Sequence, residues 1–516
     1  MFIRVVLALA LSAPPVVTPD QADPGPCPVP VPAGTVCGFL EVPERRDSPG
    51  RTIQVAYAVR HSLAPGRRPD PVVFMGGTPA IPLMEELAGM FPERDVVALD
   101  QRGGGASRPA VGCPETAQAL LGRLRMPPSD VGAAAVRCRD RLAAQGIDLR
   151  GYRTGEIVAD VVALRGMLGY DAWNLVGAGH AARVMAAVAA ADPAGTRSVV
   201  LEPPPVLEPP PEDPGIVPAP LGDAYERAVA RLNARPARVT ALDPLLGREF
   251  AARVSGHDLT ALLGAAPRDA GTPALVDALA EGRNELLRPL VERLGEELAA
   301  RASGPYHAVR CQDAPPPAGS PLFTVGGDQA VCDAWNLPRA PEPVTLASTA
   351  PQAPVHVLPA AFPGDACARR AAAAFVADLR PAGPCPGARP VELHVTAAPY
   401  AIARTPWLAA PFGIFALACL IQLVTAALKG RALPAYGGLA GVAFAGLTAQ
   451  SVHELAKEHG GALTVGVPAI TEWYAWLAVV SAALTVAALL HNRKWPQTTA
   501  AAISGVFLVW WFTWFL

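Results

Sequence analysis

The chain has 516 residues, of which 51% are hydrophobic and 17% are charged, and its formal net charge is −2. This length exceeds what one hydrophobic core normally holds, so it predicts two or three folded units. The near-neutral charge argues against a nucleic-acid partner, which would need a basic surface. The high apolar fraction favours a membrane component.

The N-terminus has the pattern of an export signal. Arg4 precedes the apolar stretch Val5–Ala13, which is too short to span a bilayer. Pro14 and Pro15 then disfavour a continuing helix. A buried N-terminal helix is the alternative interpretation. We therefore expect residues 1–22 to be a signal peptide.

The soluble part predicts a doubly wound α/β sheet. Short apolar or alternating runs indicate strands, and runs with apolar residues at helical spacing indicate helices between them. The predicted elements are strands at Arg51–Arg60, Pro71–Gly77, Asp95–Asp100, Trp173–Gly177 and Arg197–Leu201, with helices at Glu156–Leu168 and Ala181–Ala190. Strand, helix and strand in this order imply a parallel sheet with right-handed crossovers.

A proline-rich cluster, Pro203–Pro220, separates this pattern from a region that predicts helices only, over roughly Asp223–Ala302. Such an inserted helical block indicates a cap or lid. The sheet resumes with strands at Pro343–Ser348 and Pro354–Pro359, and a helix at Ala366–Leu379 closes the domain. The predicted domains are a signal peptide (1–22), the first part of the α/β core (23–202), a helical cap (203–340), the last part of the core (341–400) and a membrane region (405–516).

Four C-terminal stretches have the length and hydropathy of membrane-spanning helices. They are Trp407–Leu428, Ala435–Leu455, Ile470–Leu490 and Thr498–Leu516. Lys429 and Arg431 stand between the first two stretches, and Arg493 and Lys494 stand between the last two. The positive-inside rule therefore predicts that both loops are cytoplasmic. The protein would then be a multi-pass component of the cell membrane with a large extracellular N-terminal domain.

Ionisable residues give no sign of a transport path within these spans. No Asp, Glu, Lys or Arg lies at the centre of a span, where such residues mark ion or proton pathways. His453 and Glu454 fall at the outer end of the second span. We interpret them as interfacial residues rather than as a proton relay.

The chain has nine cysteines, and Cys419 lies within a predicted span. The other eight form sequence-local couples: Cys27 and Cys37, Cys113 and Cys138, Cys311 and Cys332, Cys367 and Cys385. An even number fits a disulfide framework in an oxidising compartment. No couple has the spacing of a zinc site, so no metal and no other cofactor is expected. Spacing alone leaves the connectivity open, and local pairing is its simplest solution.

Short motifs spread over Cys27–Cys385 follow one another in a characteristic order. They are Cys37–Arg45, Asp100–Ser107, Gly169–Leu175, Arg197–Leu201, Cys311–Asp313, Cys332–Trp335 and Cys367–Arg370. These motifs resemble secreted α/β-hydrolases of the proline iminopeptidase and tripeptidyl aminopeptidase type. The resemblance implies an α/β-hydrolase sheet with a helical cap, and it also implies that the cysteines pair locally within the four couples.

The resemblance places the nucleophile elbow, a Gly-x-Ser-x-Gly turn, at Gly177–Ala181. Here the nucleophile position is Gly179, which has no side chain. His180 follows it where the family tends to carry Tyr, and the elbow geometry disfavours a His nucleophile there. Ser107 matches a family position that is not the nucleophile, and Ser198 lies on the next predicted strand.

The catalytic acid and base are also missing from their expected positions. The acid loop and its helix would need to fit within Thr349–Ala353, which is too short for them. Phe362 stands about where the base His would be. We interpret His356 as a packed or edge-strand histidine rather than as a displaced base.

The loop that forms the oxyanion hole in the family has changed as well. The family's His-Gly-Gly-Pro-Gly sequence resembles Met75–Pro79, which keeps Gly76 and Gly77 but lacks the histidine. An elbow-like and oxyanion-like framework would then comprise Gly76, Gly77, Gly177 and His180. Loss of nucleophile, acid and base together is what an abandoned active site looks like.

The sequence therefore predicts a membrane-anchored extracytoplasmic pseudo-peptidase that binds a peptide, a cell-envelope ligand or a protein partner. One alternative is an active exported serine-type aminopeptidase or other hydrolase with a relocated nucleophile. A second alternative is a membrane transport or sensor component whose working part is the helical region. Ser or Cys at position 179 in close relatives would favour the enzyme, and polar residues lining a cavity among the four helices would favour transport.

Overall fold

The structure, a computed structural model, describes residues 27–48, 50–76, 79–202, 222–265, 271–300, 303–313, 323–340, 353–358, 366–381, 392–491 and 495–516. Several predictions concern residues outside these ranges and stay predictions: the signal peptide at 1–22, the Pro203–Pro220 cluster, the strand at Pro343–Ser348, Gly77, Phe362, Cys385, Arg493 and Lys494.

The described strands are β1 (Thr35–Pro43), β2 (Thr52–Arg60), β3 (Arg68–Met75), β4 (Arg94–Leu99), β5 (Trp173–Ala178), β6 (Thr196–Glu202), β7 (Ala237–Asp243), β8 (Arg248–Val254), β9 (Val355–Val357), β10 (Leu393–Val395) and β11 (Gly466–Pro468). The first twelve α-helices are α1 (Met84–Met90), α2 (Pro114–Leu121), α3 (Val131–Ala144), α4 (Thr154–Leu168), α5 (His180–Ala191), α6 (Gly222–Ala234), α7 (Gly256–Ala265), α8 (Thr272–Glu281), α9 (Leu287–Ala300), α10 (Ser303–Asp313), α11 (Phe323–Trp335) and α12 (Ala366–Asp378). The remaining helices are α13 (Ala398–Arg404), α14 (Ala410–Leu428), α15 (Ala432–His459), α16 (Ile470–His491) and α17 (Trp495–Trp510).

The chain divides into two compact units. Unit 1 is assembled from Met1–Ala110, Gly151–Leu201 and Val344–His356. Unit 2 comprises Val111–Arg150, Glu202–Pro343 and Val357–Leu516, so it contains both the cap region and the C-terminal helices. The predicted domain bounds remain predictions.

The main sheet has the strand order β1-β2-β4-β3-β5-β6-β9 among the described residues. β1 and β2 are antiparallel to each other, and β3 runs parallel to both β4 and β5. The runs Val72–Met75 and Val96–Leu99 are buried along their whole length, as expected for parallel strands with both faces covered. Trp173 on β5 is fully buried. The predicted fold class, a mixed α/β sheet followed by C-terminal spanning helices, is confirmed.

The prediction that the cap contains helices only is wrong. β7 and β8 pair as an antiparallel hairpin, with Ala237 opposite Val254 and Asp243 opposite Arg248. Buried and exposed residues alternate along β8, the period of a half-buried strand. Asp243 fixes the turn, because its carboxylate accepts the backbone N–H groups of Leu245 and Leu246. The alanine- and arginine-rich sequence favours helix locally, but the turn and the packing of β7 against α9 decide otherwise.

Three of the predicted disulfides are present: Cys27–Cys37, Cys113–Cys138 and Cys311–Cys332. Cys367 is also disulfide-bonded, and its predicted partner Cys385 lies outside the described residues. Cys419 is buried and is a free thiol. Glu115 lies beside Cys113 and Cys138 in a metal-like grouping, but the disulfide removes the thiolates that a metal ion would need.

In the described part of the chain, four helices are long and apolar enough to cross a membrane: Pro406–Leu428, Ala432–Lys457, Ile470–His491 and Gln497–Phe515. Aromatic side chains form their core, and the rings of Phe415 and Phe507 stack at a centroid distance of 4.1 Å. Trp511 is fully buried in this core.

One end of the helical bundle carries a small β-ribbon that the sequence did not predict. β10 pairs with β11, with His394 opposite Val467, and β11 lies in the chain between α15 and α16. Thr396 extends the attachment, because its N–H donates to the carbonyl of Val465 and its hydroxyl donates to the carbonyl of Phe515. We call this the ribbon end of the bundle.

The cap contacts the segment that enters the membrane region. Glu292 on α9 is buried, and its carboxylate accepts the Leu242 N–H at 2.8 Å and the Arg404 guanidinium at 2.5 Å. The hydroxyl of Tyr400 on α13 donates to the same carboxylate. Burial and this hydrogen bond raise the pKa of Tyr400 to about 12. Arg283 also donates to the carbonyl of Val395, at 3.1 Å.

Candidate functional site

The turn between β5 and α5 has the shape of a nucleophile elbow without a nucleophile. Gly179 sits between strand and helix with φ 61° and ψ −130°, a conformation that L side chains rarely adopt. A Cβ built on Gly179 would meet no atom within 4 Å, so the space where a nucleophile would stand is open. The sharp turn predicted from the sequence is therefore present at Gly179.

Gly177, two residues earlier, allows a close backbone contact in the same turn. A Cβ at this position would lie 2.6 Å from the carbonyl oxygen of Ala181. The first turn of α5 thus packs directly on the backbone of β5, and only glycine permits this approach. His180 is the first residue of α5 and is half-buried.

The topology gathers the predicted oxyanion and elbow residues at one sheet edge. Met75 at the end of β3 is in register with Gly177 on the parallel neighbour β5, so Gly76 and Gly179 follow the carboxyl ends of adjacent strands. β3 leads toward β4 on one side and β5 toward β6 on the other. A crevice at such a reversal of strand order is the usual ligand site of open α/β sheets.

The nearby serine hydroxyls are committed to structural hydrogen bonds. Ser198 is fully buried, and its hydroxyl donates to the side-chain oxygen of Asn174 at 2.7 Å. The Ser107 hydroxyl donates to the carbonyl of Asp100 and accepts the N–H of Ala56, both at 2.9 Å. Neither hydroxyl is placed to act as a nucleophile at the elbow.

Asp100 supports the segment that follows β3. Its carboxylate accepts the N–H groups of Ala80 at 2.7 Å, Ile81 at 3.3 Å and Ala106 at 2.9 Å. Burial raises the pKa of Asp100, and these hydrogen bonds offset part of that shift. A raised pKa in a cleft can mark a catalytic group, but here every bond leads to backbone, so Asp100 positions the loop.

The Asp100–Ser107 motif also contributes Arg102 to a buried ionic network. We call it the Arg102 network. Arg102 is 1% exposed, and its guanidinium grips Asp160 with two hydrogen bonds of 2.6 and 2.7 Å. It also donates to the carbonyls of Glu44 and Gly151. Arg46 joins from the other side, with bonds of 2.7 Å to Asp160 and 2.6 Å to Glu156. The motif Asp100–Ser107 therefore provides scaffold rather than chemistry.

His356 lies on β9, which follows β6 as the last strand of the sheet in the described ranges. Burial lowers its pKa below the usual value. The interpretation of His356 as an edge-strand histidine agrees with this position. β6 separates its strand from β5 and the elbow.

Comparison with known proteins supplies the remaining evidence. No family model matches the chain. Serine protease Hip1 of Mycobacterium tuberculosis and that of Mycobacterium bovis are each 29% identical to it over 195 residues, which is 34% of this chain and 36% of the relative. The chain is similar to a serine protease. It spans about a third of the length of these curated relatives. The resemblance to a peptidase that the motifs indicate is confirmed by this similarity.

The chain also has distant likenesses among solved structures. A probable hydrolytic enzyme from Pseudomonas aeruginosa PAO1 is 15% identical, with 62% of this chain and 72% of that chain covered and a TM-score of 0.29. Proline iminopeptidase from Mycobacterium smegmatis is 15% identical, with 62% and 81% covered and a TM-score of 0.25. At these scores the likenesses carry no argument about this chain's chemistry.

One buried polar site was missed by the sequence reasoning. In the cap, the Nε2 atom of His307 lies 3.0 Å from Asp328, and its Nδ1 atom lies 2.6 Å from the Ser303 carbonyl oxygen. Tyr306 donates to the other carboxylate oxygen at 2.8 Å. Burial opposes ionisation of Asp328, but the hydrogen bond and charge of His307 outweigh it and lower its pKa. His307 and Asp328 lie 21 positions apart in the sequence, so no local sequence pattern indicates that they pair.

Proposed function

We propose that the chain is a catalytically inactive, membrane-anchored protein of the α/β-hydrolase type that binds an extended peptide at the crevice beside Gly179. The observation that carries this proposal is the elbow apex itself. The turn keeps its special backbone geometry and an open space above it, but Gly179 supplies no nucleophilic atom. Acyl transfer requires an activated nucleophile, whereas binding requires only a rigid crevice.

The surroundings of the apex support a binding role. The hydroxyls of Ser107 and Ser198 are held by structural hydrogen bonds, and the Arg102 network makes the scaffold rigid. The similarity to a serine protease favours a peptide as the ligand class. Phe362 at the expected base position and the short acid loop, both read from sequence, agree with inactivity.

The ribbon end supports the orientation proposed for the membrane region. The cap contacts α13 and β10, which lead directly into α14. β11 places the junction between α15 and α16 at that same end. Lys429 and Arg431, in the junction between α14 and α15, then lie at the opposite end. We propose that the ribbon end is extracytoplasmic and the basic end cytoplasmic.

A fluorophosphonate probe tests inactivity directly. The purified full chain is expected to remain unlabelled under conditions that label a serine protease with an intact elbow. Gly179→Ser alone is also expected to remain unlabelled, because the new hydroxyl would have no general base. Labelling of the natural chain that one Ser, Thr or Cys substitution abolishes would overturn the proposal.

A peptide-display selection on the immobilised full chain tests binding. Enriched peptides should lose affinity for Gly179→Leu, which fills the open space above the apex. Gly166→Leu is the matched control, because Gly166 is exposed on α4 and a Cβ there meets no atom within 4 Å. Equal binding by the two variants would place the peptide elsewhere.

Cysteine-accessibility labelling tests the orientation. A cysteine at Gly461, near the ribbon end, should react with an impermeant reagent on intact cells. A cysteine at Gly430, between the basic residues, should react only after permeabilisation. Labelling of Gly430 from outside would contradict the proposed topology.

A further inference from the structure

A groove between α15 and α16, at the ribbon end, has a polar lining. It has a volume of about 360 Å³ and is lined by Leu447, Gln450, Ser451, Glu454, Pro468, Ile470 and Tyr474. The four α15 residues are spaced i, i+3, i+4 and i+7, so they form one face of that helix. We call this the α15–α16 groove.

The polar side chains of this groove have no partners within the described part of the chain. Gln450, Ser451, Glu454 and Tyr474 make no side-chain hydrogen bond or ion pair there. Deeper in the helices, several polar side chains pair with one another. Gln422, for example, donates to the hydroxyl of Thr485 at 2.9 Å.

A second groove at the same end gives an internal comparison. It has a volume of about 350 Å³ and its polar residues are His394 and Glu472. These two side chains pair with each other, and the second ring nitrogen of His394 lies 3.0 Å from the carbonyl oxygen of Leu516. Both side chains therefore already have a hydrogen-bond partner. The α15–α16 groove differs in presenting an amide, two hydroxyls and a carboxylate that await a partner.

The four α15 residues of the lining also have a polarity gradient along the helix axis. Glu454 lies near the end of the span Ala432–Lys457, and Leu447 lies about 10 Å deeper at 1.5 Å per residue. Unpaired polar groups on a lipid-facing surface are costly in hydrocarbon but not at head-group depth. The gradient thus matches an amphiphile with its head near Glu454 and its chain beside Leu447.

Charge selects the kind of head group. Glu454 is the one residue of the lining with a charge at neutral pH, and no Lys, Arg or His is among the lining residues. The available oxygens of Gln450, Ser451 and Tyr474 can accept hydrogen bonds. A primary ammonium group brings a positive charge and three N–H donors, whereas an anionic head group would face the carboxylate.

We infer that the α15–α16 groove binds a phospholipid whose head group carries a primary ammonium. The inference rests on the proposed insertion of the four helices in a membrane, but not on the catalytic state of unit 1. Charge-assisted hydrogen bonds to Glu454 provide the selectivity, and Leu447 contacts the lipid chain.

Native mass spectrometry of the purified full chain tests this inference. Dioleoyl phosphatidylethanolamine, phosphatidylcholine and phosphatidylglycerol are added separately to the detergent-solubilised protein. Phosphatidylethanolamine should be retained about tenfold more than phosphatidylcholine, which has no N–H donor. Glu454→Gln should remove most of this preference, and Ser451→Ala should reduce it by a smaller factor.

Glu472→Gln is the matched control, because it makes the same change in the second groove. It should leave the preference for phosphatidylethanolamine intact. Equal retention of the three lipids would overturn the inference, as would an unchanged preference in Glu454→Gln or its loss in Glu472→Gln. Preference for phosphatidylglycerol would show recognition of hydroxyls instead. Probe labelling of unit 1, which would end the proposal of inactivity, would not alter any of these lipid readouts.

Discussion

Two regions of unit 1 contrast sharply: the elbow at Gly179 and the Arg102 network. The elbow apex is Gly179, which has no side chain and adopts the positive φ of a sharp turn. The Arg102 network buries charged groups at considerable desolvation cost and satisfies them with short hydrogen bonds. The two regions therefore differ in what they contribute: the apex leaves open space at the sheet, and the network stabilises the fold around it.

The largest effect should come from breaking the network at its centre. Arg102→Ala would remove two of the short hydrogen bonds to the buried Asp160 and leave the carbonyls of Glu44 and Gly151 without their donor. We expect a loss of about 3–5 kcal/mol in the free energy of unfolding of unit 1. Hydrogen exchange of the Trp173–Ala178 amides in the full chain gives a local readout. Arg153→Ala is the control, because Arg153 is partly exposed and lies 3.4 Å or more from its carboxylate partners. It should cost less than about 1 kcal/mol.

The glycines of the elbow should respond in a graded way. Gly177→Ala should destabilise by about 1–3 kcal/mol, because its Cβ would collide with the backbone of Ala181. Gly179→Ala should cost about 1 kcal/mol through its positive φ alone. Gly166→Ala, within α4 and free of contacts, should be neutral or stabilising. Thermal unfolding of the three variants in the same detergent measures the order, and a Gly179→Ala variant as stable as Gly166→Ala would contradict the strained turn.

The smallest expected effect concerns pH and the cap. The pKa of Asp328 is lowered in the folded protein, so its contribution to stability is fully present above the unfolded value of about 3.9. It is lost as the pH falls through the lower folded value. Asp328→Asn should therefore be less stable than the natural chain near neutral pH, by about 1–3 kcal/mol, and the two should converge in acid. If the difference in unfolding free energy between the two proteins were the same at every pH, the contact with His307 would make no electrostatic contribution to stability.

The sequence predicted the parts of the fold whose signals are local. The alternation in Arg51–Arg60 and the spacing in Glu156–Leu168 were sufficient for β2 and α4, and the elbow at Gly179 followed from its motif. β10 and β11 could not be predicted from the sequence, because each strand has only three residues and pairs with a segment that is distant in the chain. The sequence predicts helix where β7 and β8 form a hairpin, because its helix-favouring residues give a stronger local signal than the alternation of buried and exposed residues. The turn at Asp243 depends on side-chain hydrogen bonds that the sequence does not show.

The candidate site was predictable for a different reason. The glycine at the elbow apex can be recognised from a short sequence motif. The hydrogen bonds of Ser107 and Ser198 cannot, because their partners lie far away in the sequence. The unpaired groups near Glu454 also required coordinates, because a sequence shows polar residues but not whether they have partners. The sequence therefore located the glycine at the apex, and the structure showed which nearby polar groups have partners.

If the ribbon end is extracytoplasmic, as proposed, the buried carboxylate of Glu292 has a consequence for proteolytic shedding at the cell surface. A protease that cleaves between α12 and β10 would break the covalent connection to the membrane helices. The contacts of Glu292 with Arg404 and Tyr400 would still join the two fragments. The side chain of Glu292 is 3% exposed, so salt would screen these contacts weakly. Release would then need two successive events, cleavage and dissociation, and a nicked molecule would stay on its membrane between them.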